Sequence, residues 1–212
     1  MKKRNLFFAG IMGIAVSLTS CGNHEHKSEE TKEVEVVKEE VKVIEMNINT
    51  TESAVMWKGE MLGMYSHEGT LNFTSGNVEI TNGIVTGGNF TVDMTTMKAT
   101  DENYKPEDGK TPEKLVGHLS SPDFFDVAQF PTASFTVTGG EGNTVTGTLT
   151  LKGKAGEETV NDVTVSEEGG KTTLTGTLTV NRKNYDVSFD HPAKEMVLSD
   201  DIVLNVKLVA GM

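Results

Sequence analysis

Nucleophilic catalysis, metal chelation and phosphate binding each need certain residue types at certain spacings. The 212 residues of this chain supply only fragments of those patterns. There is one cysteine, Cys21, which rules out a disulfide within the chain and a cysteine-based zinc cluster. No Gly-x-Ser-x-Gly elbow and no phosphate-binding glycine loop occurs. His67, His118 and His191 are scattered, and lone histidines are ordinarily hydrogen-bonded or solvated rather than metal-bound. The pair His24 and His26 around Glu25 lacks a fixed geometry and reads as spacer. The stretch Asp101–Gly109 starts like a calcium loop, but Pro106 stands where an EF-hand needs Gly and Pro112 where it needs Glu. A weak, irregular calcium site in residues 101–110 is left open. Asp200 and Asp201 lie at a strand start, where paired carboxylates are usually solvated. These residues predict no catalytic group, no metal ligand set and no cofactor.

The residues better suited to binding are apolar. Phe124, Phe125, Phe130 and Phe135 fall within twelve residues and give a large apolar payload. They either close one end of the fold or line and gate a cavity. Met56, Met61 and Met64, beside Trp57, form an adaptable apolar lining or fill a core, since methionine does both. Phe90 belongs to the same candidate lining.

Strands must position them. From Met46 onward, apolar residues or Gly alternate with Thr, most clearly over residues 144–151 and 173–180, with Ile202, Leu204, Val206 and Leu208 as a closing strand. Earlier strands are expected at Ser53–Lys58, Gly69–Thr74, Asn77–Thr81, Gly83–Met94, Ala133–Thr138 and Thr159–Val165. Turns are expected at Ser75-Gly76-Asn77, Asn82-Gly83, Gly139-Gly140 and Glu168-Gly169-Gly170. Gly147 and Gly176 sit in equivalent strands, where Gly permits sharp coiling or close backbone approach. Short strands at this spacing predict an antiparallel sandwich or barrel. Thr111-Pro112-Glu113 and Ser121-Pro122-Asp123 each carry a helix start signal, so residues 111–126 read as two short helical turns. Leu115, Val116 and Leu119 form their apolar stripe, and Asp123 suits a helix N-terminus. A polar loop, Asp101–Lys110, precedes them.

The chain begins with a different kind of segment. Lys2, Lys3 and Arg4 precede an apolar run from Leu6 to Leu18, which is shorter than the ~20 residues of a membrane span and fits a signal peptide. The run ends Leu18-Thr19-Ser20-Cys21, which resembles the bacterial lipobox, in which the cysteine becomes the diacylated first residue of the mature protein. Two acyl chains anchor stably where one is marginal. Residues 22–45 carry eight Glu and four Lys, with no Pro or aromatic residue, and read as an extended acidic tether. The expected organisation is a leader over 1–20, lipidated Cys21 with its tether over 21–45, and a β domain over 46–212. The net charge of −12 makes nucleic-acid binding a poor candidate.

Within the β domain, His118-Leu119, Asp123-Phe124 and Phe130-Pro131-Thr132-Ala133-Ser134-Phe135 resemble in order and spacing the central signature of the YceI-like family. Gly147–Gly153, Gly176-Thr177-Leu178 with Arg182 and Tyr185, and Asp201-Ile202-Val203-Leu204 are similar to its later strands. The chain departs from the family in its short first hairpin, Val55–Gly69, and in the charged Asp101–Lys110 insertion. The resemblance implies an all-β, antiparallel, lipocalin-like barrel of about eight strands that binds polyisoprenoid lipids. The expected function is an envelope lipoprotein, not an enzyme, that holds an isoprenoid or acyl chain for carriage, storage or sensing. Its candidate ligand contacts are Met56, Trp57, Met61, Met64, Phe90, Phe124, Phe125, Phe130 and Phe135. An eight-stranded barrel is only just wide enough for one small ligand, so a reduced pocket or a filled barrel acting as an interaction module is the alternative. The outer membrane, at its periplasmic face or the cell surface, is the expected location, reached through Cys21. A homodimer is possible if a barrel edge stays open.

Overall fold

Alternation along the chain becomes a closed barrel in the computed structural model, which describes residues 41–189, 193 and 196–211. Cys21, the leader, the acidic tether up to residue 40, and His191 lie outside the described residues. The strands are β1 (Val43–Asn47), β2 (Ala54–Met61), β3 (Tyr65–Thr81), β4 (Ile84–Ala99), β5 (Thr132–Glu141), β6 (Thr144–Leu151), β7 (Lys154–Glu168), β8 (Lys171–Asn181) and β9 (Asp201–Gly211). Among the described residues one α-helix, α1 (Pro112–Ser120), and two 3-10 turns, Pro106–Asp108 and Arg182–Tyr185, interrupt them. All pairings are antiparallel, in the order β3-β2-β9-β8-β7-β6-β5-β4, and β4 returns to β3 to close an eight-stranded barrel. The ninth strand, β1, continues the edge that β2 leaves, pairing Val43–Asn47 with residues 77–81 of β3. It begins inside the stretch expected to be tether, because Val43 and Met46 find partners in Thr81 and Val78. Closure leaves none of β2 to β9 at a free edge, while β1 is paired as a strand along one side only.

The Thr/apolar alternation sets the two faces. Val145, Leu149 and Leu151 of β6 and Leu174, Leu178 and Val180 of β8 are buried, and the threonines between them are not. Both glycines of the repeated pattern sit at close approaches, the Phe135 ring lying over Gly147 and Val160 Cγ1 over Gly176.

Two expected turns are absent. Gly69–Thr74 and Asn77–Thr81 belong to one strand, β3, which runs through Ser75-Gly76-Asn77 with register shifts against β4. A Cβ at Gly76 would lie 2.7 Å from Phe90 and 2.9 Å from Ile48, so this glycine serves a side-chain crossing rather than a reversal. Gly139-Gly140 lies inside β5 at a bulge, and the chain turns later, at Gly142-Asn143. Asn82-Gly83 behaves as expected, with φ of 51° and 82°, the positive pair of a type I′ hairpin.

The helical insertion is a single helix. Thr111 caps it by accepting from Lys114 N–H, and Pro112 occupies the first turn. It stops at Ser121, whose N–H and Oγ both donate to the His118 carbonyl. Residues 121–126 turn without forming a second helix, and Asp126 takes a φ of 46°. Asp123 is therefore not at a helix N-terminus. Its side chain is 72% exposed. One end of the barrel carries the long connections 100–131 and 182–200, the 62–64 turn and Lys152-Gly153. The other carries the short turns and residues 48–53.

Candidate functional site

The inward residues do not meet at the barrel axis. They enclose a cavity of about 1210 Å³. Its wall takes Val55 and Trp57 from β2, Phe73 from β3, Phe90 and Met94 from β4, Phe135 from β5, Leu149 from β6, Leu178 from β8 and Leu204 from β9. The volume exceeds the ~300–1,000 Å³ of ordinary small-molecule pockets. The reduced pocket expected from the short first hairpin is thus not what the fold has. The reason lies in composition: most inward positions of β6 to β9 are Gly, Val or Leu, which cannot reach across.

Of the nine expected contacts, Trp57, Met61, Met64, Phe90, Phe124, Phe125 and Phe135 line this cavity. Two do not. Met56 lies between Val55 and Trp57, which face inward, so the pleat turns it outward, where it is 37% exposed. Adjacent residues of a strand cannot both face the lumen, and Trp57 takes that place. Phe130 is half-buried, its ring against Gly153 in the β6–β7 turn.

At the loop end, α1 and the segments around it contribute to the wall. Leu115, His118 and Leu119 of α1 join the lining. His118 sits edge-on to Phe124 and Phe189, with ring centroids 4.9 and 4.8 Å away, and Phe124 and Phe189 are 4.9 Å apart. Its Nε2 is 3.9 Å from Asp123 Oδ2, beyond hydrogen-bond length, so packing is its main role. Phe189 is a lining residue that the sequence pattern did not single out, because it follows β8 in an irregular segment with no period to read.

Arg182 is the buried cation of this end, 1% exposed. Its Nε donates to Ser199 O at 3.0 Å, one terminal nitrogen to Val187 O at 2.7 Å, and the other to Asp200 Oδ1 at 3.3 Å. It thereby ties the β8 end to the start of β9. Asp200 also pairs with Lys183 at 2.8 Å, so this carboxylate works in structure. Lys152 Nζ adds a second tie, donating to the carbonyls of Pro122 and Asp186.

At the rim, the 100–111 segment is strapped to β3. Asp101 accepts hydrogen bonds from Glu68 N–H, Asn103 N–H, Tyr104 OH and His67 Nδ1. An ionised carboxylate only accepts, so His67 carries its proton on Nδ1. Burial pushes the Asp101 carboxyl up, but these donors outweigh it and hold it below the usual carboxylate range. The same burial and the Asp101 charge push the Tyr104 hydroxyl well up. His67 stacks on Tyr104 at 4.9 Å, and both line the cavity mouth. The carboxylate read as a possible calcium ligand is thus surrounded by donors. Among the described residues no group of three or more His, Cys, Asp or Glu is placed to hold a metal ion. The lining offers burial and a polar rim, in which His67, Asn103, Tyr104 and Arg182 are engaged in holding the fold.

Comparison with known proteins places this geometry among relatives. Residues 46–210 match the sequence profile of the YceI-like domain. The UPF0312 proteins SA2479 and SAV2687 of Staphylococcus aureus strains N315 and Mu50 are each 33% identical over 105 residues, 46% of this chain. The chain spans 61% of the length of these curated relatives. Among solved structures, Burkholderia cenocepacia BcnA is similar at a TM-score of 0.62 and 24% identity, covering 77% of this chain and 99% of BcnA. A domain from Saccharophagus degradans, described as polyisoprenoid binding and implicated in plant cell wall breakdown, has a TM-score of 0.52 at 14% identity, covering 80% and 99%. Both likenesses concern the fold.

Proposed function

Because the chain belongs to the YceI-like domain family, we propose that it binds one lipophilic molecule, an isoprenoid or fatty-acyl chain, inside its barrel. The observation that carries this reading is the 1210 Å³ cavity with a mostly apolar wall. A barrel filled by its own side chains, the other reading the sequence permits, leaves no such volume. The description of the S. degradans neighbour as polyisoprenoid binding supports an isoprenoid in particular.

The mechanism is burial. Each Å² of apolar ligand surface taken from water contributes ~25 cal/mol, and a preformed barrel limits the ordering that opposes binding. We further propose that the protein is an envelope lipoprotein anchored through Cys21, for which the lipobox-like sequence is the support. Incorporation of labelled palmitate, lost in Cys21→Ser, tests that part separately.

The chain has one tryptophan, Trp57, and it lines the cavity with its Nε1 buried and without a protein hydrogen-bond partner. Its emission therefore reports on the ligand space directly. Titrating the full chain, stripped of lipid by organic extraction, with farnesol or a fatty acid is expected to shift that emission saturably at one equivalent. No saturable change with any such ligand contradicts the proposal.

A further inference from the structure

Lys105, Lys110 and Lys114 also line the cavity, at its loop end. None forms an ion pair with a carboxylate among the described residues, whereas Lys58, Lys154, Lys171 and Lys183 each do. The chain has 31 acidic and 19 basic residues, so carboxylates are in excess. Yet the only acidic residue that joins these lysines in the lining, among the described residues, is Glu102. Glu107, Asp108 and Glu113 belong to the same segment but not to the lining.

One short frame holds the three. Lys105 and Lys110 face each other across an antiparallel bridge around the turn Pro106–Asp108, with Lys110 N–H donating to Lys105 O at 3.1 Å. Lys114 stands in the first turn of α1, where the exposed backbone N–H groups add partial positive charge. Its Nζ lies across Gly109, 3.0 Å from where a Cβ would be, so a side chain at 109 would push the ammonium aside. The Asp101 strap fixes the frame to β3 through Glu68 N–H and His67.

Unpaired lysines at one end of a mostly apolar cavity match one class of molecule. We infer that the ligand is an anionic amphiphile whose chain lies in the barrel and whose phosphate or carboxylate head is held at the mouth by Lys105, Lys110 and Lys114. Lysines suit this task as flexible point charges that donate to either anion. The inference rests on the reading of the barrel as a lipid cavity and adds the head group to it.

Matched probes separate the two. Trp57 emission in the full chain reads the affinities of farnesyl phosphate against farnesol, and of laurate against dodecanol. Three solvent-exposed charge contacts together predict about tenfold tighter binding of each charged member. The combined variant Lys105→Gln/Lys110→Gln/Lys114→Gln is expected to bring each pair within about twofold while leaving the neutral members unchanged. Raised salt should weaken only the charged members in the native chain. Equal affinities within each pair would overturn the head-group inference and leave the cavity reading standing. Binding of no probe overturns both. If inorganic phosphate displaces farnesyl phosphate as effectively as farnesyl phosphate displaces itself, the mouth is a free-anion site, and the amphiphile is overturned.

Discussion

His67 and Asp101 lie 34 residues apart in the chain and meet at 3.0 Å, Nδ1 to Oδ1, at the mouth of the barrel. This contact, with the Glu68 N–H bond beside it, fixes the 100–111 segment to the rim. The lining residues Tyr104, Lys105, Lys110 and Thr111 are then placed by a strap and not by a strand.

The strap gives a pH dependence with a definite sign. The Asp101 carboxyl is held below its ordinary value of 3.8 in the folded state. A depressed acid stabilises the fold above its unfolded pKa, and that contribution disappears as pH falls through the folded one. Acidification from pH 5 to below 3.8 is therefore expected to loosen residues 100–105 ahead of the barrel strands. Hydrogen exchange, corrected for intrinsic rates, checks this. In Asp101→Asn the acid-induced step should be gone and the segment open at both pH values.

Arg182 predicts a large stability effect from one side chain. Its guanidinium is almost wholly buried and satisfies two carbonyls and one carboxylate between the end of β8 and the start of β9. Arg182→Met strands the two carbonyls and is expected to destabilise by about 2–4 kcal/mol, read as a lower urea midpoint at unchanged slope. A change below about 0.5 kcal/mol would mean that water replaces the guanidinium readily.

The strands were legible because alternation of Thr with Leu or Val is a local property. Residues 144–151 are both the expected and the observed strand. The two turns absent from the fold were both expected at glycine, whose two uses look alike in sequence. At Asn82-Gly83 it reverses the chain, whereas at Gly76 and Gly140 it lets another residue come close, at Gly140 the Val85 carbonyl. Only the partner across the sheet tells these apart. The same limit explains the site. Trp57, Phe90 and Phe135 were readable as inward positions of periodic strands. Met56 and Trp57 look equally suited to the lumen by residue type, and the pleat allows one of the two. His67, Asp101 and Arg182 took their roles from pairings across the fold that no local spacing encodes.

Gly69 tests the closing seam. A Cβ there would run into the Lys98 carbonyl and the Trp57 ring, so Gly69→Val forces β3 from β4 or displaces the indole. A loss of about 2–4 kcal/mol is expected from such overpacking. Gly59→Ala, with nothing within 4 Å of its Cβ, should stay within about 0.5 kcal/mol. Denaturant midpoints of the two variants should separate accordingly, and equal midpoints would contradict the close seam.

Filling the cavity should remove binding without unfolding the barrel. Val137 faces the lumen from β5, opposite Gly147. Val137→Trp puts a large ring into open volume and is expected to weaken farnesol uptake at least about tenfold, a loss of ~1.4 kcal/mol of binding free energy. The circular dichroism spectrum and melting temperature should be nearly unchanged. Full uptake in a folded variant would place the ligand elsewhere.

The most direct test of a lipid-binding barrel is native mass spectrometry of the full chain, purified gently from bacteria. A co-purifying mass of several hundred daltons at one copy per chain, lost on organic extraction and restored by an added isoprenoid or fatty acid, is the result expected. A clean apo mass that takes up neither would contradict the account.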